Sequence, residues 1–173
     1  MPQPAEAKTL DFKRALIESY AANERINQYL LENLDDAAWE AEPPGGKGRT
    51  IAGIVAHMHN VRHMWLVAAA KDKPIPEKLD RGTVTRKQAM QALAESAECC
   101  SRLLADSLEH PEGKVKGFRP DVVGMFSYLI SHDAHHRGQI CMLARQLGHT
   151  VPKAAGFGMW EWGSRWKEAT GKP

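Results

Sequence analysis

The stretch VVGMFSYLISHDAHHRGQICMLARQL, residues 122–147, has the pattern of one long helix and decides the fold of this chain. Its apolar side chains recur at intervals of three and four residues, so they share one face of a helix. They are Val122, Met125, Phe126, Leu129, Ile140, Leu143 and Leu147. Gly148 follows directly, and glycine is typical of the position just past a helix end. In the middle of this apolar helix, residues 132–137 carry three histidines, an aspartate and an arginine.

Three further segments show the helical period, and no segment shows the alternation typical of a strand. The first runs from about residue 10 to residue 34, with Thr9 as its predicted N-cap. The second runs from Thr50, another N-cap candidate, to about residue 70, and the third follows the capping-box sequence TRKQ that starts at Thr85. Four long helices joined by loops predict an all-α fold, a four-helix bundle with a short C-terminal helix or tail.

The totals predict one globular domain spanning residues 1–173. A formal charge of +2, with lysines and arginines spread along the chain, argues against a nucleic-acid partner. No segment has the length and apolarity of a membrane span or signal peptide, so no membrane partner is expected. The three cysteines, two of them adjacent, form no disulfide or zinc-finger pattern, which favours a cytoplasmic location.

Two of the histidines in residues 132–137 point the same way. His132 and His136 are one helical turn apart on the apolar side, whereas His135 falls outside that stripe and is predicted to meet solvent. An i, i+4 histidine pair can share a divalent cation. Gln139 lies on the same side, where it could bond a ligand or a bound water.

A third ligand must come from another helix, and the second helix offers several histidines in IAGIVAHMHNVRHMW, residues 51–65. His57 and His59 lie on opposite edges of its apolar stripe, and His57 has the more apolar neighbours. The helical wheel alone leaves both open. Three histidines with a remaining open position would suit Zn²⁺ or Ni²⁺ in a catalytic type of site. The alternative is that these histidines simply fill a polar core.

Three other features have two interpretations each, and a fourth, Cys141, has one. Asp133 is a candidate general base or a structural acceptor. Arg137 could bind a substrate carboxylate or form an ion pair at the helix edge. The loop PPGGKGRT at residues 43–50 could receive an anion at a helix N-terminus, although it lacks the Walker spacing and an ordinary loop is favoured. Cys141 points away from the histidines and is expected to pack in the core.

The segment SHDAHHRGQI with ARQLGH after it, and TIAGIVAHMHNVRHMW upstream, resembles the DinB family, the damage-inducible, YfiT-like group. The resemblance extends from the first helix to the glycine that ends the fourth. It implies a four-helix bundle with a crossover, often a homodimer, and a divalent metal held by one histidine of the second helix and two of the fourth. Carried over by position, these ligands are His57, His132 and His136, so the resemblance selects His57 over His59.

The resemblance also implies candidate chemistry. Related proteins resemble thiol-dependent S-transferases that use a low-molecular-weight thiol, or metal-dependent hydrolases or isomerases. The first hypothesis is therefore a metal-dependent enzyme, a thiol S-transferase or hydrolase, acting on a small-molecule substrate. The alternative is a non-catalytic, metal-stabilised dimeric protein of the stress response.

Overall fold

The structure is a computed structural model that describes residues 9–173. These residues form seven α-helices and no strand, which confirms the all-α prediction. The helices are α1 (Phe12–Glu32), α2 (Asp36–Glu40), α3 (Ile51–Ala69), α4 (Arg86–Ser107), α5 (Val122–Gln146), α6 (Lys153–Gly158) and α7 (Trp162–Thr170). A short 3₁₀ turn, Pro44–Gly46, lies between α2 and α3. Within the described range, each helix is too short or too polar to cross a bilayer.

The long helices begin where the sequence supplies a side chain that caps them. Thr50 accepts a hydrogen bond from the Gly53 amide, and Thr85 forms the full predicted capping box with Gln88. The prediction that Thr9 caps the first helix is wrong. Asp11 caps it, and its carboxylate adds a favourable charge at the helix N-terminus, so α1 starts at Phe12.

The C-terminus of α5 is closed by Gly148, as predicted. Gly148 has φ +83°, a left-handed conformation that glycine adopts without steric cost. The amide of His149 donates to the Ala144 carbonyl at 2.8 Å, and the amide of Gly148 donates to the Arg145 carbonyl at 3.1 Å. These two bonds are the Schellman pattern, which satisfies carbonyls left free at the helix end.

Four long helices enclose the core. α1 and α3 each pack against both α4 and α5. The core has two apolar clusters, one around Leu30, Ile54 and Ile140 and the other around Tyr20, Leu66 and Leu129. On α1, α3 and α5 alike, polar residues separate the positions that contribute to the two clusters. The polar residues in this layer, which we call the polar layer, are Asn23, Glu24 and Asn27 of α1, Arg62 of α3, and Asp133 of α5.

The C-terminal residues form the predicted short helix and pack on the outside of α1. Trp166 donates from its indole nitrogen to Glu18 at 2.9 Å, and the Arg165 guanidinium lies 3.9 Å from the centre of the Tyr29 ring. Trp160, in contrast, is 80% exposed. The tail tryptophans therefore divide between packing on α1 and facing solvent.

Candidate metal centre

Three histidines meet between α3 and α5. His57 of α3 and His132 and His136 of α5 each offer a ring nitrogen, and these three nitrogens lie within 4.8 Å of one another. The Nε2 atoms of His132 and His136 are 3.2 Å apart. Two nitrogens on a tetrahedral zinc ion are separated by about 3.3 Å when each Zn–N bond is 2.0–2.1 Å. The spacing of the α5 pair therefore suits a shared metal ion.

A hydrogen bond fixes the orientation of His136, and a carboxylate oxygen lies near the second nitrogen of His132. His136 Nδ1 lies 2.7 Å from Gln139 Oε1, an acceptor, so Nδ1 carries the proton and Nε2 keeps its lone pair. His132 Nδ1 lies 4.0 Å from Asp133 Oδ1, a buried oxygen without a hydrogen-bond partner. Histidine ligands commonly direct their second nitrogen toward an acceptor, and a carboxylate is a frequent one. The donor set and its surroundings fit a metal site.

The electrostatic environment keeps two of these imidazoles neutral. Burial lowers the pKa of His57 to about 4, with help from the positive charge of Arg49 and from its histidine neighbours. Burial also lowers the pKa of His136, although its bond with Gln139 opposes the shift. A neutral imidazole has the free lone pair that a metal ligand needs. Neither imidazole therefore has to lose a proton before it binds a cation near neutral pH.

Asp133, the candidate general base, lies in the polar layer beneath the histidines. Its Oδ2 atom accepts hydrogen bonds from Asn23 at 2.7 Å, Asn27 at 3.0 Å and Arg62 at 2.7 Å. Burial alone would raise the pKa of Asp133, but Arg62 and the hydrogen bonds hold it well below the ordinary range. A carboxylate stabilised in its charged form is a weak base.

The other predicted residues divide between the site and its surroundings. Gln139 bonds His136 directly, whereas Arg137 donates to Asn23 at 2.9 Å and Asn27 at 2.5 Å and so braces α5 against α1. His135 is exposed, as predicted. Cys141 is partly buried against the core, and burial raises the pKa of its thiol.

His59, the alternative third ligand, lies away from the cluster. It is fully buried, with Nδ1 at 2.9 Å from the Ala92 carbonyl and Nε2 at 2.8 Å from the Glu77 carbonyl. Both nitrogens therefore face backbone acceptors outside the metal centre. His59 therefore joins α3 to α4 and to the segment 70–85 between these helices. The same segment is also held by Asn60 of α3, whose side chain hydrogen-bonds the backbone of Leu79.

Arg62 is the functional neighbour that the sequence interpretation missed. It is completely buried and joins three helices, because it donates to Glu24 at 2.8 Å, to Asp133 at 2.7 Å and to the Leu93 carbonyl at 2.9 Å. On the helical wheel Arg62 shares an edge with His59 and His63, which suggested a polar edge. The sequence does indicate that Arg62 is buried, because it lies one helical turn from two apolar residues, Met58 and Leu66.

Two different surfaces flank the histidines along α3 and α5. Toward the C-terminus of α3, Tyr128 stacks on His132 with ring centres 5.9 Å apart. Trp65 packs edge-on against Tyr128 and Phe118, and the Phe118 ring is tilted against Tyr128. Toward the N-terminus of α3 the neighbours are basic: Arg81 Nη2 lies 3.5 Å from His57 Nδ1. The centre thus has an aromatic side and a basic side.

These features define a small helical protein with a candidate trihistidine metal centre between two long helices. The chain belongs to the DinB family, whose model matches residues 1–168. This match confirms the family that the sequence motifs suggested. No curated protein and no solved structure matches the chain.

Proposed function

We propose that this protein is a metal-dependent enzyme acting on a small substrate, by thiol transfer to an electrophile or by hydrolysis. His57, His132 and His136 would hold a divalent ion, Zn²⁺ or Ni²⁺. The observation that carries the proposal is a group of three imidazoles with no fourth protein ligand within residues 9–173. When bound, such an ion supplies an open position where a water or a thiol loses its proton near neutral pH.

The surrounding residues prepare the ligands. Gln139 holds the tautomer of His136 that leaves Nε2 free. Asp133 presents its unpartnered oxygen toward His132 Nδ1 while Arg62 fixes the other oxygen. We therefore assign Asp133 to positioning His132 rather than to proton abstraction. Arg137 braces α1 against α5, so its role is structural rather than substrate binding.

A second candidate function is that of a non-catalytic, metal-stabilised homodimer. The supporting observation is a set of exposed apolar side chains near the C-terminus of α5 and in the tail: Met142 at 56%, Phe157 at 64% and Trp160 at 80% exposure. Size-exclusion chromatography with light scattering distinguishes a dimer from a monomer. It is run on the wild type and on Trp160→Ser, which weakens a dimer that uses this surface.

Metal analysis of protein purified without chelators tests the centre. We expect one equivalent of Zn²⁺ or Ni²⁺ per chain in the wild type, and a large loss in His57→Ala, His132→Ala and His136→Ala. His135→Ala is the matched control, because it removes an exposed histidine of the same helix and should keep the metal. Wild-type protein without metal, or equal loss in the control, contradicts the proposal.

Turnover assays then distinguish the enzyme from the metal-stabilised protein. The metal-loaded wild type is assayed with glutathione or cysteine and the electrophile 1-chloro-2,4-dinitrobenzene, and separately with p-nitrophenyl acetate. Metal-dependent turnover that disappears in His136→Ala and persists in His135→Ala supports an enzyme. Absence of turnover across these reactions, with full metal occupancy, favours the non-catalytic alternative.

A further inference from the structure

The basic side of the metal centre is formed by two arginines from different segments. Arg49 immediately precedes the N-cap of α3, and Arg81 belongs to the segment between α3 and α4. Both line a groove of about 550 Å³ beside the N-terminus of α3. Arg81 extends from this groove to His57, where its Nη2 atom is 3.5 Å from Nδ1. The three histidines do not line the groove, and the Arg81 side chain connects the groove with the candidate metal centre.

Within the part of the chain that the structure describes, neither arginine has an anionic partner. Among residues 9–173, the ion pairs include ten other lysine and arginine side chains but not Arg49 or Arg81, and both residues are exposed. Arg49 is nevertheless close enough to lower the pKa of both His57 and His136. The N-terminus of α3, a 19-residue helix, adds a partial positive charge to the same region.

The contact between Arg81 and His57 cannot persist beside a bound cation. A guanidinium has only hydrogen-bond donors, so His57 Nδ1 must be the acceptor, and Nε2 then carries the proton. This tautomer offers no free lone pair to a metal. Metal binding by His57 therefore requires the guanidinium of Arg81 to leave Nδ1, which frees its donors beside a new positive charge.

The charge balance then favours an anion. Three neutral imidazoles do not compensate a divalent cation. Asp133, whose Oδ1 atom lies 4.0 Å from His132 Nδ1, is bound to Arg62, and so is Glu24. Glu40 and Glu42 line the groove at its exposed side, but the described contacts pair neither with Arg49 or Arg81. A loaded centre thus combines a cation with two arginines that lack carboxylate partners.

We propose that the substrate or co-substrate of this centre is anionic and that Arg49 and Arg81 bind its carboxylate while its reacting group faces the three histidines. The inference rests on the proposed metal-dependent function and adds the chemical class of the ligand. Arginine suits this role because its planar donors match the two oxygens of a carboxylate. Tyr128 and Trp65, on the opposite side, offer an apolar surface to the remainder of the molecule.

Two thiols with the same three-carbon chain, one ending in a carboxylate and the other in a neutral hydroxyl, test the proposal. Cobalt-substituted protein is titrated with 3-mercaptopropionate and with 3-mercapto-1-propanol, and binding is followed by the thiolate-to-cobalt absorption in the near ultraviolet. We expect the wild type to bind the carboxylate thiol roughly tenfold more tightly, the effect of one charge-assisted hydrogen bond or slightly less. The preference should decrease at high salt, because both arginines are exposed.

Matched variants assign the preference to these residues. In Arg49→Gln/Arg81→Gln the two thiols should bind within about twofold of each other. Arg81→Lys keeps the charge and should retain part of the preference. Arg145→Gln is the control, because it removes an exposed arginine of α5 that does not line the groove. Circular dichroism checks that each variant is folded.

The outcomes distinguish this proposal from the one on which it rests. Equal affinity of the cobalt-loaded wild type for the two thiols overturns the anionic ligand and leaves the metal centre intact. A preference that survives in the double variant overturns the assignment to Arg49 and Arg81. Failure of the wild type to bind cobalt overturns both the metal centre and this inference.

Discussion

Replacing Asp133 with asparagine should destabilise the protein by about 3 kcal/mol at pH 7. The side chain is 1% exposed, and its Oδ2 atom accepts hydrogen bonds from Asn23, Asn27 and Arg62. Breaking a buried ion pair by removing one charge costs about 3–5 kcal/mol, because the other charge is left uncompensated. We expect the lower end of that range, since asparagine keeps one acceptor oxygen and Arg62 keeps Glu24.

The pH dependence of this difference has a defined sign. The pKa of Asp133 is lower in the folded protein than the value of about 3.9 expected for the unfolded chain. Its stabilising contribution is therefore complete above about pH 4 and is lost as the pH falls toward the folded pKa. The difference between wild type and variant should be constant from pH 7 to pH 5. It should be smaller by about 1.3 kcal/mol at pH 3.0, where the unfolded wild type binds a proton.

Urea denaturation followed by circular dichroism at 222 nm measures both effects. A chelator is added so that metal binding does not contribute to the stability of the folded state. Asp106→Asn is the control; it removes an exposed carboxylate that pairs with Lys73, and we expect a change within about 0.5 kcal/mol. A loss below about 1 kcal/mol in Asp133→Asn at pH 7, or a difference that grows on acidification, refutes the reasoning.

Three other predictions follow from local features. Thr85→Ala removes the capping box of α4 and should lower the free energy of unfolding by about 1 kcal/mol, which calorimetry would show as a decrease of about 2–4 °C in Tm. Thr83→Ala, in the preceding turn, is the control, and an equal effect of that variant would contradict the role of the cap. Gly148→Ala places a side chain at φ +83° and should cost about 1–2 kcal/mol in urea denaturation, whereas Gly138→Ala, inside α5 with open space around it, should not destabilise. Burial raises the pKa of Cys100 to about 12, so iodoacetamide at pH 8 should leave Cys100 unmodified in the folded protein and modify the partly exposed Cys99. Mass spectrometry of the digest shows which cysteine is labelled first, and faster labelling of Cys100 would refute the prediction.

The α5 part of the metal centre could be predicted from the sequence because its geometry is local. His132 and His136 share a face through the helical period alone, and the same period sends His135 to solvent. The four long helices could also be predicted, because each has an apolar period and three begin at a recognisable cap. The short helix α2 was missed, since five residues are too few for a period to show.

The rest of the site depends on how segments distant in the chain are placed. Whether His57 or His59 faces α5 depends on the rotation of α3 about its axis, which the helical wheel alone does not determine. The resemblance to the family selected His57. Arg62 is a charged residue that is nevertheless buried, because residues of three other helices supply its hydrogen-bond partners. Arg81 reaches His57 only because the segment between α3 and α4 folds back on α3, and no local pattern predicts that contact.

The distribution of the three histidines over two helices also orders events during folding. The His132 and His136 pair exists as soon as α5 forms a helix, so a partly folded chain already offers two of the three nitrogens. His57 joins them only after α3 docks on α5, a contact between segments more than 70 residues apart in the chain. Because closing such a separation carries an entropic cost, complete coordination belongs to the late stage of folding. An ion held by all three histidines would therefore report that α3 has docked on α5.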